Sequence, residues 1–251
     1  KRVQAFSATH AEQDPHYIRA RPSLISRARN ADLFVCSGGG LEVGWLPLLL
    51  QKAGTDVQPG AVGYVMASEY VTVIEKPVLV DRSMGDVHPE GNPHVHLNPH
   101  NVLLIAKELA NRMKAIDATN AEFFQSRIAD FEVRWRQAIM RWEQEAKHVK
   151  GSSVVVHHKA FSYLNKWLGL NEVASLEPKP GIPPSARHLE GLLQQLSADA
   201  ADIIIRTPYE PDDASEWLSE KTGTPALMLP YTVGGDAEAH DLFTPVSYTH
   251  L

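Results

Sequence analysis

Residues Thr119 to Val149 read TNAEFFQSRIADFEVRWRQAIMRWEQEAKHV and contain neither glycine nor proline. Apolar side chains fall at Phe124, Ile128, Phe131, Trp135, Ala138 and Trp142, at alternating steps of four and three that draw one stripe along an α-helix. Thr119 with Glu122 reads as a capping box, and Lys147, Lys150 and Gly151 suit a helix end. At 1.5 Å per residue such a helix is roughly 45 Å long, too long for a crossover over one small sheet. It is expected to run between two lobes. A dimerising coiled-coil arm is the rival reading, but the seam covers only about three heptads. The Trp135/Trp142 pair reads as core packing.

Outward from this helix, both flanks show strands alternating with helices. Before it, strand patterns occur at Val3–Phe6 and Ala31–Cys36, and helical ones at Pro22–Arg29, Trp45–Ala53 and Asn101–Lys114. After it, apolar runs at Val154–Val156, Ile203–Ile205 and Ala226–Leu229 read as strands. Helical patterns lie between them at Ala186–Leu196 and Ala214–Thr222, the latter stopped by Gly223 and Pro225. Such alternation predicts parallel sheets covered by helices. The expected fold is α/β, with two lobes that each hold a mostly parallel β-sheet flanked by helices. The lobes are expected at 1–117 and 151–244, joined by one linker helix over 118–150. Glu177 to Pro184 is too proline-rich for helix or central strand and is expected to be a stiff connection.

Composition narrows the function. Against 24 Lys+Arg stand 30 Asp+Glu, a net charge of −6 that lacks the basic face of a nucleic-acid binder. With a single cysteine, Cys36, neither an intrachain disulfide nor a cysteine-based zinc module can form. No apolar run is long enough to span a bilayer, and Lys1-Arg2-Val3 does not open a signal peptide.

Histidine stands out: there are twelve, most of them in three short stretches. His16 follows Asp14-Pro15 on a loop after a predicted strand, where open α/β sheets bind ligands. His94 lies in Gly91-Asn92-Pro93-His94-Val95-His96-Leu97-Asn98-Pro99-His100, with His88 upstream. His157 and His158 close the run Val154-Val155-Val156. Neutral imidazole suits zinc, which takes four donors in a tetrahedron. Three loops could supply three nitrogens, with Asp236 or Asp241 as a carboxylate donor. Strand alternation lets only one of His157 and His158 face the site, whereas His94 and His96 could share a side. His10, His148, His188 and His240 read as exposed or capping, and His250 lies in a tail. Gly38-Gly39-Gly40 lacks the spacing and acidic partner of a phosphate cradle.

Taken together, these segments resemble the metal-binding solute-binding proteins of zinc and manganese ABC importers. The resemblance runs through Asp14-Pro15-His16-Tyr17, the Gly91–Pro99 stretch, the long helix, His158-Lys159-Ala160-Phe161 and Leu229-Pro230-Tyr231-Thr232-Val233-Gly234-Gly235. It implies metal ligands at His16, His94 and His158. The family's fourth, carboxylate, ligand transfers to Asp236, since Thr232 stands where manganese-binding members carry Asp. It implies capture of Zn²⁺, with Mn²⁺ or Fe²⁺ as lesser alternatives, by a monomer that is periplasmic or extracytoplasmic and membrane-anchored and that serves an ABC permease. His88, His94 and His96 are similar to a short metal-collecting loop. The resemblance also implies that a first strand and helix precede Lys1, and that 245–251 is a non-native tail. Two rivals stand beside this reading. One is a zinc hydrolase with Glu177 or Glu210 as general base; the other is an adhesin or coiled-coil protein carrying metal incidentally.

Overall fold

The structure is a computed structural model that describes residues 2–79 and 85–244. The expected tail at 245–251 lies outside the described residues.

In the first lobe, β1 (Phe34–Cys36) and β2 (Tyr64–Met66) pair in parallel with Val35 opposite Val65. Helices α1 (Pro22–Arg29) and α2 (Leu46–Leu50) pack beside them, burying Leu24, Ala28, Trp45, Leu46 and Leu49 with Met66. Pro22 sits in the first turn of α1, where its missing N–H costs nothing. The expected strand at Val3–Phe6 is not one: the segment is exposed and irregular. Alternation alone cannot make a strand without a ladder partner, and the Phe6 ring packs under the Arg27 guanidinium at 3.9 Å instead.

Helix α3 (Pro99–Ile116) leads into α4 (Ala121–Glu145). Short 3₁₀ turns at Ala118–Asn120 and Ala146–Val149 extend α4 at both ends, so the predicted long helix is present. Its start differs in chemistry from the expected capping box. Asp117, not Thr119, caps the first turn by accepting the Asn120 N–H at 3.3 Å. The apolar stripe is used within the chain: Trp135, Ala138, Ile139 and Trp142 are buried with Leu103 of α3. The Trp135 indole N–H donates to the Pro99 carbonyl at 2.8 Å, tying α4 to the start of α3. There Asn98 Oδ1 accepts the His100 N–H at 2.9 Å. Asn98→Ala is therefore expected to lower stability by about 1 kcal/mol, the usual worth of such a cap; chemical denaturation would show it as a lower midpoint at unchanged slope.

The second lobe holds a four-stranded parallel sheet in the order β4-β3-β5-β6. Its strands are β3 (Ser153–Val156), β4 (Asn171–Ser175), β5 (Ile203–Arg206) and β6 (Ala226–Met228). Successive residues of the central strands enter opposite faces. Val154, Val156, Ile203 and Ile205 pack with Phe161, Leu164 and Leu168, the last two on α5 (Ser162–Leu168). Val155 and Ile204 pack with Leu192, Leu196 and Leu218 from α6 (Ala186–Ala198) and α7 (Asp213–Thr222). Two covered faces explain why β3 and β5 read as unbroken apolar runs. β2 and β4 escape the sequence pattern, since β4 carries only Val173 and Ala174 as apolar residues and lies at the sheet edge.

The lobes meet through Tyr163 on α5, buried with Ala67 and Val95. Its hydroxyl donates to the Asn92 carbonyl at 2.8 Å and accepts the Ile74 N–H at 3.2 Å. Asn92 Nδ2 in turn donates to the Lys159 carbonyl at 2.8 Å. Buried hydrogen bonds of this kind fix the facing of the two lobes, because breaking one leaves a desolvated polar group.

Candidate metal centre

Three chain segments converge where the lobes face each other. The Asp14 carboxylate accepts the backbone N–H of His16 at 2.9 Å, and the Trp45 indole donates to the Pro15 carbonyl at 2.9 Å. These bonds shape the Asp14-Pro15-His16 loop. His94 precedes a 3₁₀ turn at Val95–Leu97, with its backbone N–H donated to Asn92 Oδ1 at 3.0 Å. His158 stands two residues beyond the end of β3 and opens the turn at Lys159–Phe161.

The imidazoles of His16, His94 and His158 form a nearly equilateral triangle. Ring centroids lie 5.5 Å apart for His16/His94, 5.6 Å for His16/His158 and 5.5 Å for His94/His158, each pair nearly perpendicular. One nitrogen from each falls within 4.8 Å of the others, a spacing that a single cation could bridge. Every Nδ1 is already engaged: His16 with Asp14 Oδ1, His94 with the Tyr231 hydroxyl and His158 with Glu177 Oε2, all at 2.7 Å. A proton on each Nδ1 leaves the Nε2 lone pairs for a metal, the arrangement in which a carboxylate or hydroxyl orients a ligating imidazole. His94 Nε2 is buried without a hydrogen-bond partner, which a polar atom in a packed interior tolerates only at a cost of about 1–3 kcal/mol.

Electrostatics sorts the three. Burial first, then the neighbouring imidazoles of His158 and His16, push His94 well below the ordinary imidazole value, so it stands neutral and ready to ligate. Burial also pulls His158 downward, but its hydrogen bond to Glu177 and the charges of Glu177, Glu210 and Asp14 outweigh that and raise it overall. A metal must displace its proton. Asp14 is raised by burial and lowered further by the His16 hydrogen bonds, so it stays ionised.

The remaining residues divide plainly. His88 Nε2 lies 3.2 Å from His16 Nε2, with the two rings stacked at 5.2 Å. Burial first, then His16 and His158, depress His88 to about 4. His96 does not face the triangle: its ring packs edge-on against Tyr231 at 4.7 Å and its Nε2 meets the Tyr231 carbonyl at 3.3 Å. It thus supports the residue that holds His94. His100 pairs with Glu143, and His157 stands outside the convergent group, buried with its Nδ1 unpartnered. Asp236 is not brought to the three nitrogens; its Oδ1 accepts the Glu238 N–H at 2.7 Å. Asp241 Oδ1 likewise accepts from Phe243 and Thr244. The glycine loop holds no phosphate cradle, because Glu42 accepts the N–H groups of Ser37 and Gly38 at 2.7 and 3.1 Å. Gly39 (φ 62°) instead lets the loop approach Pro93, to which a Cβ would stand 3.2 Å away.

Sequence reasoning missed the roles of Asp14, Tyr231 and Glu177. Asp14 and Tyr231 stood inside the quoted motifs, and an acid two residues before a ligand was the available signal. Glu177 gave none, since it follows β4, which was not expected. Its Oε2 also accepts the Gly181 N–H at 2.9 Å, which fixes it as a support for His158.

Beside the triangle opens a cavity of about 660 Å³ that reaches Pro183, Leu189 and Trp217. Glu210 lies on its wall, 8% exposed, with Oε1 unpartnered and Oε2 accepting the Thr207 N–H at 2.6 Å. Burial raises its carboxyl to about 7 despite the Thr207 bond.

Comparison with known proteins bears on the family and the fold. The family model described as zinc-uptake complex component A, periplasmic, matches residues 1–247. The chain is 22% identical over 240 residues to a manganese ABC transporter substrate-binding lipoprotein, PsaA, of Streptococcus anginosus, covering 92% of this chain and 74% of the relative. It is 24% identical over 224 residues to the zinc-binding lipoprotein AdcA of Streptococcus pneumoniae, covering 87% of this chain but 44% of that longer protein. Among solved structures, a ZnuA deletion mutant with zinc bound superposes at a TM-score of 0.76 and 18% identity, covering 96% of this chain and 84% of the other.

Proposed function

The chain belongs to the periplasmic zinc-uptake component A family, and from that premise we propose that it captures Zn²⁺ outside the cytoplasmic membrane and delivers it to an ABC importer permease. His16, His94 and His158 hold the ion through Nε2. The observation that carries this is the triangle itself, whose three Nδ1 atoms are all occupied by orienting partners and whose remaining nitrogens converge.

The donor chemistry favours zinc over manganese. Imidazole suits Zn²⁺, whereas Mn²⁺ prefers carboxylate and water, and zinc outranks manganese at any shared nitrogen site. Among the described residues, no carboxylate oxygen joins the convergent donor group. The hydrolase alternative asks for a free general base beside the metal; Glu177 is committed to His158 and Gly181, so that reading rests on Glu210, whose Oε1 is unpartnered, and ester or peptide hydrolysis by the zinc-loaded protein would support it. Among the described residues, no helix is long and apolar enough to cross a membrane, and the protein acts as a monomer that meets its permease from outside the bilayer. Competitive titration of metal-free protein with Zn²⁺ and Mn²⁺ tests the assignment. One zinc per chain, displacing manganese, is expected; a one-to-one site that prefers manganese would overturn it.

A further inference from the structure

The cavity beside the three histidines is far larger than an ion needs. At about 660 Å³ it falls in the range of sites for small organic ligands. Its walls are of two kinds. One side is apolar, formed by Pro183, Pro184, Leu189 and Trp217. The other is acidic, with Asp86, Glu190, Glu210 and Asp213, and among the described residues no lysine or arginine lines the space.

Three residues that line the cavity carry a buried polar atom with no hydrogen-bond partner among the described residues: Tyr209 through its hydroxyl, and Glu210 (Oε1) and His157 (Nδ1), the last two 8% and 4% exposed. Unsatisfied groups this deep are rare in folded proteins and call for an explanation. Glu210 stands outside the convergent donor group, so it does not itself complete the metal's coordination. Something lying between it and the histidines would satisfy both needs. The three protein nitrogens leave the fourth tetrahedral position open.

We infer that the cleft takes its metal as a cationic complex with one small amine- or imidazole-bearing chelator, of the amino-acid class, which fills the cavity and supplies the remaining donors. This rests on the metal-binding reading above and deepens it. Zinc with one histidinate carries a single positive charge, because the amino acid gives up its ammonium proton on chelation. That charge suits a wall of carboxylates, whereas an anionic complex such as zinc citrate would be repelled. The chelator's remaining N–H groups meet Glu210 and His157, and its ring or aliphatic part meets Trp217 and Leu189.

The test uses L-histidine and citrate as the chelators, with native mass spectrometry and calorimetry on the full chain. The expected result is a zinc–histidine–protein species of one-to-one-to-one composition, with no corresponding citrate species. Ala186→Trp fills the cavity from an exposed position in the first turn of α6. It is expected to abolish the ternary species and leave binding of zinc alone unchanged. Glu210→Gln should weaken histidine uptake by the zinc-loaded protein about tenfold, the loss of one buried charge-assisted hydrogen bond. Zinc bound one-to-one but merely stripped by histidine, with no ternary mass, would overturn this inference and leave the metal-binding reading standing. A ternary species that persists in Ala186→Trp would overturn the placement in this cavity. Failure to bind zinc both with and without histidine would overturn both readings.

Discussion

His94→Ala is expected to weaken zinc binding by about a hundredfold or more, since losing even a residue that merely orients a metal-bound imidazole costs tenfold to a hundredfold. Of the three candidate donors, His94 is the most deeply placed, at 1% exposure, and its Nε2 is the one buried without a partner. Its depressed basicity keeps it neutral across the physiological range, so no proton competes for the lone pair. Alanine would remove the donor and leave the Tyr231 hydroxyl facing an empty space. Calorimetric titration of metal-free protein gives the affinity, and thermal denaturation without metal gives the control. The metal-free variant should melt below the parent, because the cavity left by the ring and the orphaned Tyr231 hydroxyl outweigh the removal of one unsatisfied Nε2, so the two affinities are compared at a temperature where both proteins are folded. His96→Ala should cost far less, since that ring acts only through Tyr231. Affinity in His94→Ala within a few fold of the parent would place the site elsewhere.

Glu177→Gln should produce the second large effect, a tenfold to hundredfold loss of zinc affinity near neutral pH, together with a changed pH profile. The sign follows from His158. Glu177 raises that imidazole above its ordinary value of about 6.5, and zinc binds only the deprotonated ring. In the parent, affinity therefore falls as pH drops through the raised His158 value, beginning above the ordinary imidazole range. Without the carboxylate, burial dominates and His158 moves down, so the fall should shift to lower pH while the plateau affinity is weaker. The metal-free protein shows the opposite trend. A group held above its unfolded value stabilises the fold at low pH, and that contribution disappears as pH rises through the folded value. Metal-free parent should thus lose the His158–Glu177 contribution on passing from acid to neutral pH, and the variant should not. Zinc titrations across pH, paired with denaturation of the metal-free proteins, separate these effects. An unchanged pH midpoint in Glu177→Gln would remove Glu177 as the residue that tunes His158.

Much of this was legible in the residues because the relevant signals are local. The stripe from Phe124 to Trp142 reports a helix regardless of its surroundings, and Val154–Val156 and Ile203–Ile205 report strands covered on both faces. Val3–Phe6 shows the limit: alternation describes a segment that could pair, and pairing depends on a neighbour. The three histidines were legible through their positions after strands and through family resemblance. Their orienting partners were not, because Glu177 lies 19 residues from His158 and Tyr231 lies 137 from His94. Asp236 shows the same limit from the other side. An acid in a suitable loop is as able to cap its own turn as to reach a metal, and only the folded chain decides.

The anchoring of His94 by Tyr231 crosses from one lobe to the other, whereas His16 takes its anchor from Asp14 in its own lobe and His158 from Glu177 in its own. Drawing the lobes apart therefore does two things in one movement: it spreads the three donors and strips one of them of the hydroxyl that holds its ring. On the proposed reading, the cargo is gripped by a latch whose catch is mounted on the opposite jaw. A permease that parted the jaws by a small distance would meet a sharp drop in grip rather than a gradual one, and would need no competing chelator of its own to empty the carrier.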